Sequence, residues 1–221
     1  METLESQITA FKAEHSQKAP PAAAGTIQSW IGELSSSGIA ERSLQVGQAA
    51  PDFALPNVHG EIVRMSDLRA RGPVVVMFYR GEWCPFCNLA VRAYQEVLPE
   101  IKALGASLVA ISPQTPDHSL SLAEKAGLGY EVLSDQGNAV ARQFGIVYKM
   151  GDSIYQLQQQ FGIDLSQFNG DESRELPMPG TFVIDRNGTI RFAQVSADHT
   201  QRAEPSAVLD ALRGLTPSQA A

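Results

Sequence analysis

An unbroken run of β-branched and aromatic residues, Val74 to Tyr79 (VVVMFY), is followed within five residues by Cys84-Pro-Phe-Cys87. That order constrains the fold more than anything else in the sequence. A run apolar at every position, rather than alternating, predicts a central strand buried on both faces. It is far too short to span a bilayer. Beyond the short loop Arg80-Gly-Glu-Trp, apolar residues at Leu89, Val91, Val97, Leu98, Ile101 and Leu104 predict a long helix from Cys84 to Leu104, kinked near Pro99. Both cysteines therefore fall at a strand-to-helix junction.

They are also the only two in 221 residues. A disulfide closing so small a loop adds little through chain entropy, so a structural staple explains them poorly. The N-terminal stretch METLESQITAFKAEH lacks the apolar core of a secretory signal, which predicts a cytosolic chain. In that reducing compartment a C-x-x-C pair reads as redox-active or metal-binding. Zinc usually needs four ligands, and His15, His59, His118 and His199 are scattered, so no metal is expected. Inert core thiols remain a third reading, although packing alone does not require a helix start with Pro85 at its first position. Unpaired backbone N–H groups there favour an anion. The expectation is a Cys84 thiol of lowered pKa that attacks, and a more shielded Cys87 that resolves. Trp83 and Phe86 would keep the pair partly dry, with Trp83 a flat surface for a docking partner.

The remainder is ordered around that junction. Leu4, Ile8 and Phe11, then Ile27, Trp30, Ile31 and Leu34, repeat with helical period, separated by the breaker Ala19 to Gly25. Residues 1–44 thus read as a helical N-terminal extension, 45–216 as the main domain and 217–221 as a disordered tail. Asn57-Val58-His59-Gly60 predicts a hairpin turn. Ser107 to Ile111 predicts a second buried strand, 117–126 a helix, Tyr130 to Leu133 a strand, and 138–144 a short helix. The Gln-rich stretch 151–176 reads as an excursion with one helix. Gly180 to Asp185, Arg-Asn-Gly and Thr189 to Val195 predict a strong hairpin, and 204–213 a last helix. With 43% hydrophobic and 19% charged residues the chain is globular. A net charge of −7 without a basic stripe argues against nucleic acid, and nothing predicts membrane association. Trp30 and its apolar neighbours need cover, which makes a homodimer one option.

A strand–helix–strand opening with an antiparallel finish gives a mixed sheet flanked by helices, an α/β, thioredoxin-like plan. Val46-Gly-Gln-Ala-Ala-Pro-Asp-Phe53, the site Val74 to Cys87 and Thr181-Phe-Val-Ile-Asp-Arg-Asn-Gly188 together resemble the alkyl hydroperoxide reductase/thiol-specific antioxidant (peroxiredoxin-like) family over about residues 45–213. The resemblance implies a thiol peroxidase. Cys84 and Cys87 would cycle between dithiol and disulfide, without metal or other cofactor. A hydroperoxide would be the substrate, and a thioredoxin- or glutaredoxin-type protein would restore the thiols.

The sequence departs from the family pattern. Peroxiredoxins carry P-x-x-x-T-x-x-C around the attacking cysteine, and counting back from Cys84 puts Gly81 at the Thr place and Met77 at the Pro place. Pro179 stands where an Arg precedes the T-F-V-I-D strand; Met178-Pro179 is similar instead to the cis-proline of thioredoxins. Donors for the peroxide oxygens must then come from elsewhere. Arg80 is the nearest candidate, while Arg92, His199 and Arg202 read as solvated. Two other functions stay open at this point. One is a protein thiol–disulfide oxidoreductase, which predicts a cis bond at Pro179. The other is a non-catalytic thioredoxin-fold interaction module, in which Cys84→Ser would be silent.

Overall fold

A computed structural model describes residues 2–16 and 20–215; the expected tail at 217–221 lies outside them. The chain opens with α1 (Leu4–Ser16) and α2 (Pro21–Ser36), followed by the hairpin β1 (Ala54–Pro56) and β2 (Ile62–Arg64) and the short α3 (Met65–Arg71). Then come β3 (Val74–Phe78), α4 (Pro85–Glu96), α5 (Leu98–Ala103), β4 (Ser107–Ser112), α6 (Pro116–Ala126), β5 (Glu131–Ser134) and α7 (Ala139–Gln143). After β6 (Val147–Lys149), α8 (Asp152–Gln160), α9 (Leu165–Asn169) and β7 (Glu175–Pro177), the chain closes with β8 (Gly180–Ile184), β9 (Ile190–Val195) and α10 (Pro205–Arg213).

The main sheet has the order β5-β4-β3-β8-β9, with β3 at its centre and fully buried, as its composition requires. β3 runs parallel to β4 and antiparallel to β8, so the sheet is mixed. Side chains alternate between two cores. Val74, Val76 and Phe78 pack with Phe144 and Phe182 on one face; Val75, Met77 and Tyr79 pack with Val91, Tyr94 and Leu209 on the other. The pairing of Phe78 with Gly180 and of Gly180 with Val195 brings three points together: the end of β3, the start of β8 and the end of β9. Everything at the site follows from that convergence.

Three expectations change in detail. Instead of one kinked helix there are two, α4 and α5, broken at Val97: Pro99 has no N–H to donate to the Gln95 carbonyl. The breaker before α2 is shorter than expected, since α2 starts at Pro21 and runs through Gly25, Pro being well tolerated in a first turn. The excursion holds two helices, α8 and α9, clasped by the antiparallel pair β6·β7. Strands of three residues are too short to show a period of two.

Both N-terminal helices are docked on the chain itself. Leu4 and Ile8 of α1 join the core around α4, and Glu204 caps the helix from outside, accepting from Leu4 N (3.2 Å) and Glu5 N (2.6 Å). A carboxylate at a helix N-terminus satisfies two orphan donors and suits the dipole. Glu204→Ala is therefore expected to cost about 1 kcal/mol, read as a lower denaturant midpoint with faster amide exchange confined to α1. Trp30 of α2 is only 8% exposed and packs on Tyr148 and His199, so the cover for which a dimer was invoked is supplied within the chain.

Candidate active site

Cys84 is the N-cap of α4 and Pro85 follows in the first turn, as the sequence predicts; Cys87 lies inside that turn. The two thiols are free, buried and hydrogen-bonded to each other. Gly81 precedes them at φ +150°, and a Cβ there would collide with the Trp83 indole. Glycine thus lets the loop fold the indole back over the site.

The contacts around the pair favour the charge on Cys87 rather than on Cys84. Burial pushes the Cys84 thiol well above its ordinary value, and the facing Cys87 sulfur adds to this. Burial works against Cys87 too, but is outweighed by the hydrogen bond from Cys84, by the Arg202 guanidinium and by the Arg80 backbone N–H. These hold its thiol well below the ordinary range. The geometry agrees: Arg202 Nη2 is 3.2 Å from Cys87 Sγ and 4.0 Å from Cys84 Sγ, and Arg80 N donates to Cys87 Sγ at 3.4 Å. A helix terminus is worth about 0.3–1 kcal/mol to an exposed anion, whereas a hydrogen bond from a charged donor is worth about 1.5–3 kcal/mol. The direct arginine outweighs the helix terminus, so the contacts favour the charge on Cys87.

Arg202 reaches the sulfurs from the loop after β9 and is not solvated. Its guanidinium also donates to the His199 carbonyl, which fixes that loop over the pair. Arg80 is 3% exposed and lies 4.8 Å from the Trp83 ring and 5.4 Å from the Trp30 ring, with Tyr148 and the two sulfurs as the anionic or polar groups facing it. Among the described residues its buried charge thus faces the thiolate, not a carboxylate. Arg92 is exposed on α4. Pro179 is buried beside the start of β8, and its carbonyl accepts from Ser196 N. There are no cis peptide bonds among the described residues, so Met178–Pro179 is trans and the expected thioredoxin feature is not there. No group of three or more His, Cys, Asp or Glu among them could hold a metal.

His199 stacks obliquely on Trp30 and edge-on to Phe86. Burial, reinforced by Arg80, Arg202 and Lys12, pushes it down to about 2. A histidine that stays neutral when folded but charges at about 6.5 when unfolded contributes stability that is complete above 6.5 and lost as the pH falls below it. Between pH 7 and pH 5 this amounts to about 2 kcal/mol. His199→Phe is expected to remove that acid sensitivity, seen as denaturant midpoints that differ less between the two pH values than in the parent.

A cavity of about 410 Å³ opens beside Cys84. Its walls come from α1, α2, α8 and the residues just after α8, and Trp83, Cys84 and Phe86 lie at its base.

Residues 46–193, about two thirds of the chain, match the model of the AhpC/TSA family. The chain belongs to that family. Among curated proteins it is similar to the chloroplastic peroxiredoxin Q of Gentiana triflora, 29% identical over 146 residues, covering 66% of this chain and 57% of that one. The chloroplastic peroxiredoxin Q of Arabidopsis thaliana is 30% identical over 170 residues, or 76% and 68% of the two chains. The chain thus spans less than three fifths of the Gentiana relative's length and about two thirds of the Arabidopsis one. The crystal structure of peroxidoxin BcpB from Mycobacterium tuberculosis superposes with a TM-score of 0.62 at 25% identity, over 78% of this chain and 99% of that one. The AhpC/TSA assignment carries the thioredoxin-like fold with it, as the resemblance implied. α1 and α2 lie outside the matched residues.

Proposed function

We propose that this chain is a thiol-dependent peroxidase that reduces hydroperoxides through Cys84 and Cys87 and is recharged by a thioredoxin- or glutaredoxin-type protein. One observation carries the reading: the buried Cys87 sulfur lies 3.2 Å from Arg202 Nη2, with the Cys84 thiol hydrogen-bonded against it, a setting that favours a thiolate. A thiolate, not a thiol, attacks an O–O bond. The attacking role expected of Cys84 therefore passes to Cys87.

The Cys87 thiolate attacks the distal oxygen, forming S–O as O–O breaks, and the sulfur is oxidised by two electrons to the sulfenic acid. The departing alkoxide takes the Cys84 proton and leaves as the alcohol. Cys84, now a thiolate, attacks the Cys87 sulfur and expels hydroxide, which closes the disulfide. The one proton shared by the pair thus serves both steps. Arg202 and Arg80 serve as the donors for the charge that develops on the oxygens. Two electrons from the reductant's dithiol then restore the pair by exchange, in a reducing compartment such as the cytosol. No helix among the described residues is long and apolar enough to cross a membrane.

The experiment is steady-state consumption of a hydroperoxide coupled to thioredoxin, thioredoxin reductase and NADPH. A rate well above that of free cysteine is expected; a rate no greater overturns the reading.

A further inference from the structure

Two visitors of very different size must reach one buried pair of sulfurs. Cys84 is 1% exposed and Cys87 wholly buried. A hydroperoxide is small, but the reductant is a folded protein whose thiolate must attack a disulfide sulfur directly. The cavity of about 410 Å³ at Cys84 has the size of a small-molecule site and does not take a protein. For the reductant, one of its walls must therefore move. α2 is anchored in the core by Trp30, and α8 by Ile154. α1 is held differently. Its buried residues, Leu4 and Ile8, lie in its first half, whereas from Thr9 to His15 every residue but Phe11 is exposed. That second half is the part at the site. Phe11 and His15 line the cavity, and the Phe11 ring meets edge-on, at 5.4 Å, the ring of Phe86, which precedes Cys87 in α4. Segments with few buried contacts are the ones that open at least cost.

The polar ties of α1 run to one loop. Lys12 Nζ donates to Thr200 Oγ1 (3.1 Å), and Glu204 accepts from Leu4 N and Glu5 N. Thr200 and Glu204 flank Arg202, whose guanidinium bonds Cys87 Sγ and the His199 carbonyl. A disulfide carries no charge. Closing it removes the charge-assisted bond to Arg202, a bond about twice as strong as a neutral one. The loop that anchors α1 is then held less firmly.

We infer that α1 is a redox-linked strap, docked at the pair while Arg202 bonds the Cys87 sulfur and released when the disulfide forms, so that a reductant protein reaches Cys84 only after the oxidant has reacted. With α1 aside, the reductant's thiolate attacks Cys84 Sγ. The bond between Cys84 and Cys87 breaks, and Cys87 leaves as the thiolate, its charge met again by Arg202. The reductant's second thiol loses its proton, displaces Cys84 and closes the reductant's own disulfide; that proton goes to the Cys84 sulfur. The strap lies outside the residues that match the family model. For the cycle it serves, the inference rests on the peroxidase reading, but the movement of α1 can be tested without peroxide.

Two measurements do so, both on a disulfide made with diamide. Hydrogen exchange read by mass spectrometry compares α1 in the dithiol and disulfide forms. Exchange in α1 is expected to be about tenfold faster or more in the disulfide, with α2 unchanged. The second measurement locks the strap. Phe11 is exchanged for p-benzoylphenylalanine, which irradiation bonds to α4 before any reductant is added, and the dark sample is the control. Reduction of the disulfide by thioredoxin or glutaredoxin is expected to fall by about tenfold or more on irradiation. Reduction by dithiothreitol, small enough for the cavity, is expected to stay within about twofold. Equal exchange in the two redox forms, or equal reduction of the locked and dark samples by the protein reductant, would overturn the inference, as would a parent disulfide that neither protein reduces. Peroxide consumption well above that of free cysteine would leave the peroxidase reading intact in each of these cases. Release and locking as expected, with peroxide consumed no faster than by free cysteine, would support the strap and defeat the peroxidase reading.

Discussion

Cys87→Ser is expected to lose peroxide consumption by a factor on the order of 10³ or more, whereas Cys84→Ser is expected to complete one turnover and stop. The difference follows from where the charge sits. In Cys84→Ser the new hydroxyl still donates to the Cys87 sulfur and is a better N-cap for α4 than a thiol. The thiolate beside Arg202 and the Arg80 N–H remains. It attacks once, and with no partner thiol the sulfenic acid is stranded and open to further oxidation. In Cys87→Ser the remaining thiol is the one that burial holds up, 4.0 Å from Arg202. Dimedone trapping with peptide mass spectrometry checks both. One stoichiometric adduct on Cys87 is expected in Cys84→Ser, and none in Cys87→Ser. The reverse pattern, an adduct on Cys84 alone, would return the attacking role to the outer sulfur.

The same charge distribution explains which parts of the site could be read from the sequence. The strand, the junction and the cysteine pair are local features, carried by a β-branched run, a proline at a first helical position and a spacing of three. The frame of the peroxiredoxin pattern was also in reach, but depends on the cysteine from which it is counted. From Cys87, P-x-x-x-T-x-x-C puts Cys84 at the Thr place and Arg80 at the Pro place. A thiol that hydrogen-bonds the attacking sulfur then stands where the family has a hydroxyl, which Gly81 could not supply. What favoured counting from Cys84 was the helix-dipole argument, a weak effect beside a direct arginine. That arginine was hidden because it is not local: Arg202 is 115 positions from Cys87. The Asn-Gly hairpin held the one available signal. It predicts that β9 runs back along β8, so residues after Val195 return to the end of β3, where the cysteines begin. Periodicity likewise showed that α1 and α2 have an apolar side, but an amphipathic pattern does not name the surface that covers it.

Arg202 is the group whose removal should be felt next most strongly. Arg202→Met keeps much of the side-chain stem and removes the only side-chain cation within hydrogen-bonding distance of Cys87 Sγ among the described residues. Two losses coincide. Burial is then opposed only by the Cys84 thiol, the Arg80 N–H and the more distant Arg80 charge, so the Cys87 pKa rises. A donor for the oxygen that gains charge as O–O breaks is lost as well, and one such donor is worth a factor on the order of 10²–10³. The expected result is a fall of about 10²-fold in the second-order rate with peroxide at neutral pH, together with a pH–rate profile whose rise moves to higher pH. The sign is fixed: a positive charge lowers a neighbouring thiol's pKa, so removing it can only raise the pH at which the nucleophile forms. The pH profile separates this role from a structural one, since simple loosening of the loop after β9 would lower the rate without moving the titration. Arg202→Lys is the rescue. It restores the charge without the planar fork that bonds Cys87 Sγ and the His199 carbonyl together, so the profile should return towards that of the parent and the rate only in part. An unshifted profile in Arg202→Met would place the charge on the pair under other control and remove the basis for a Cys87 thiolate.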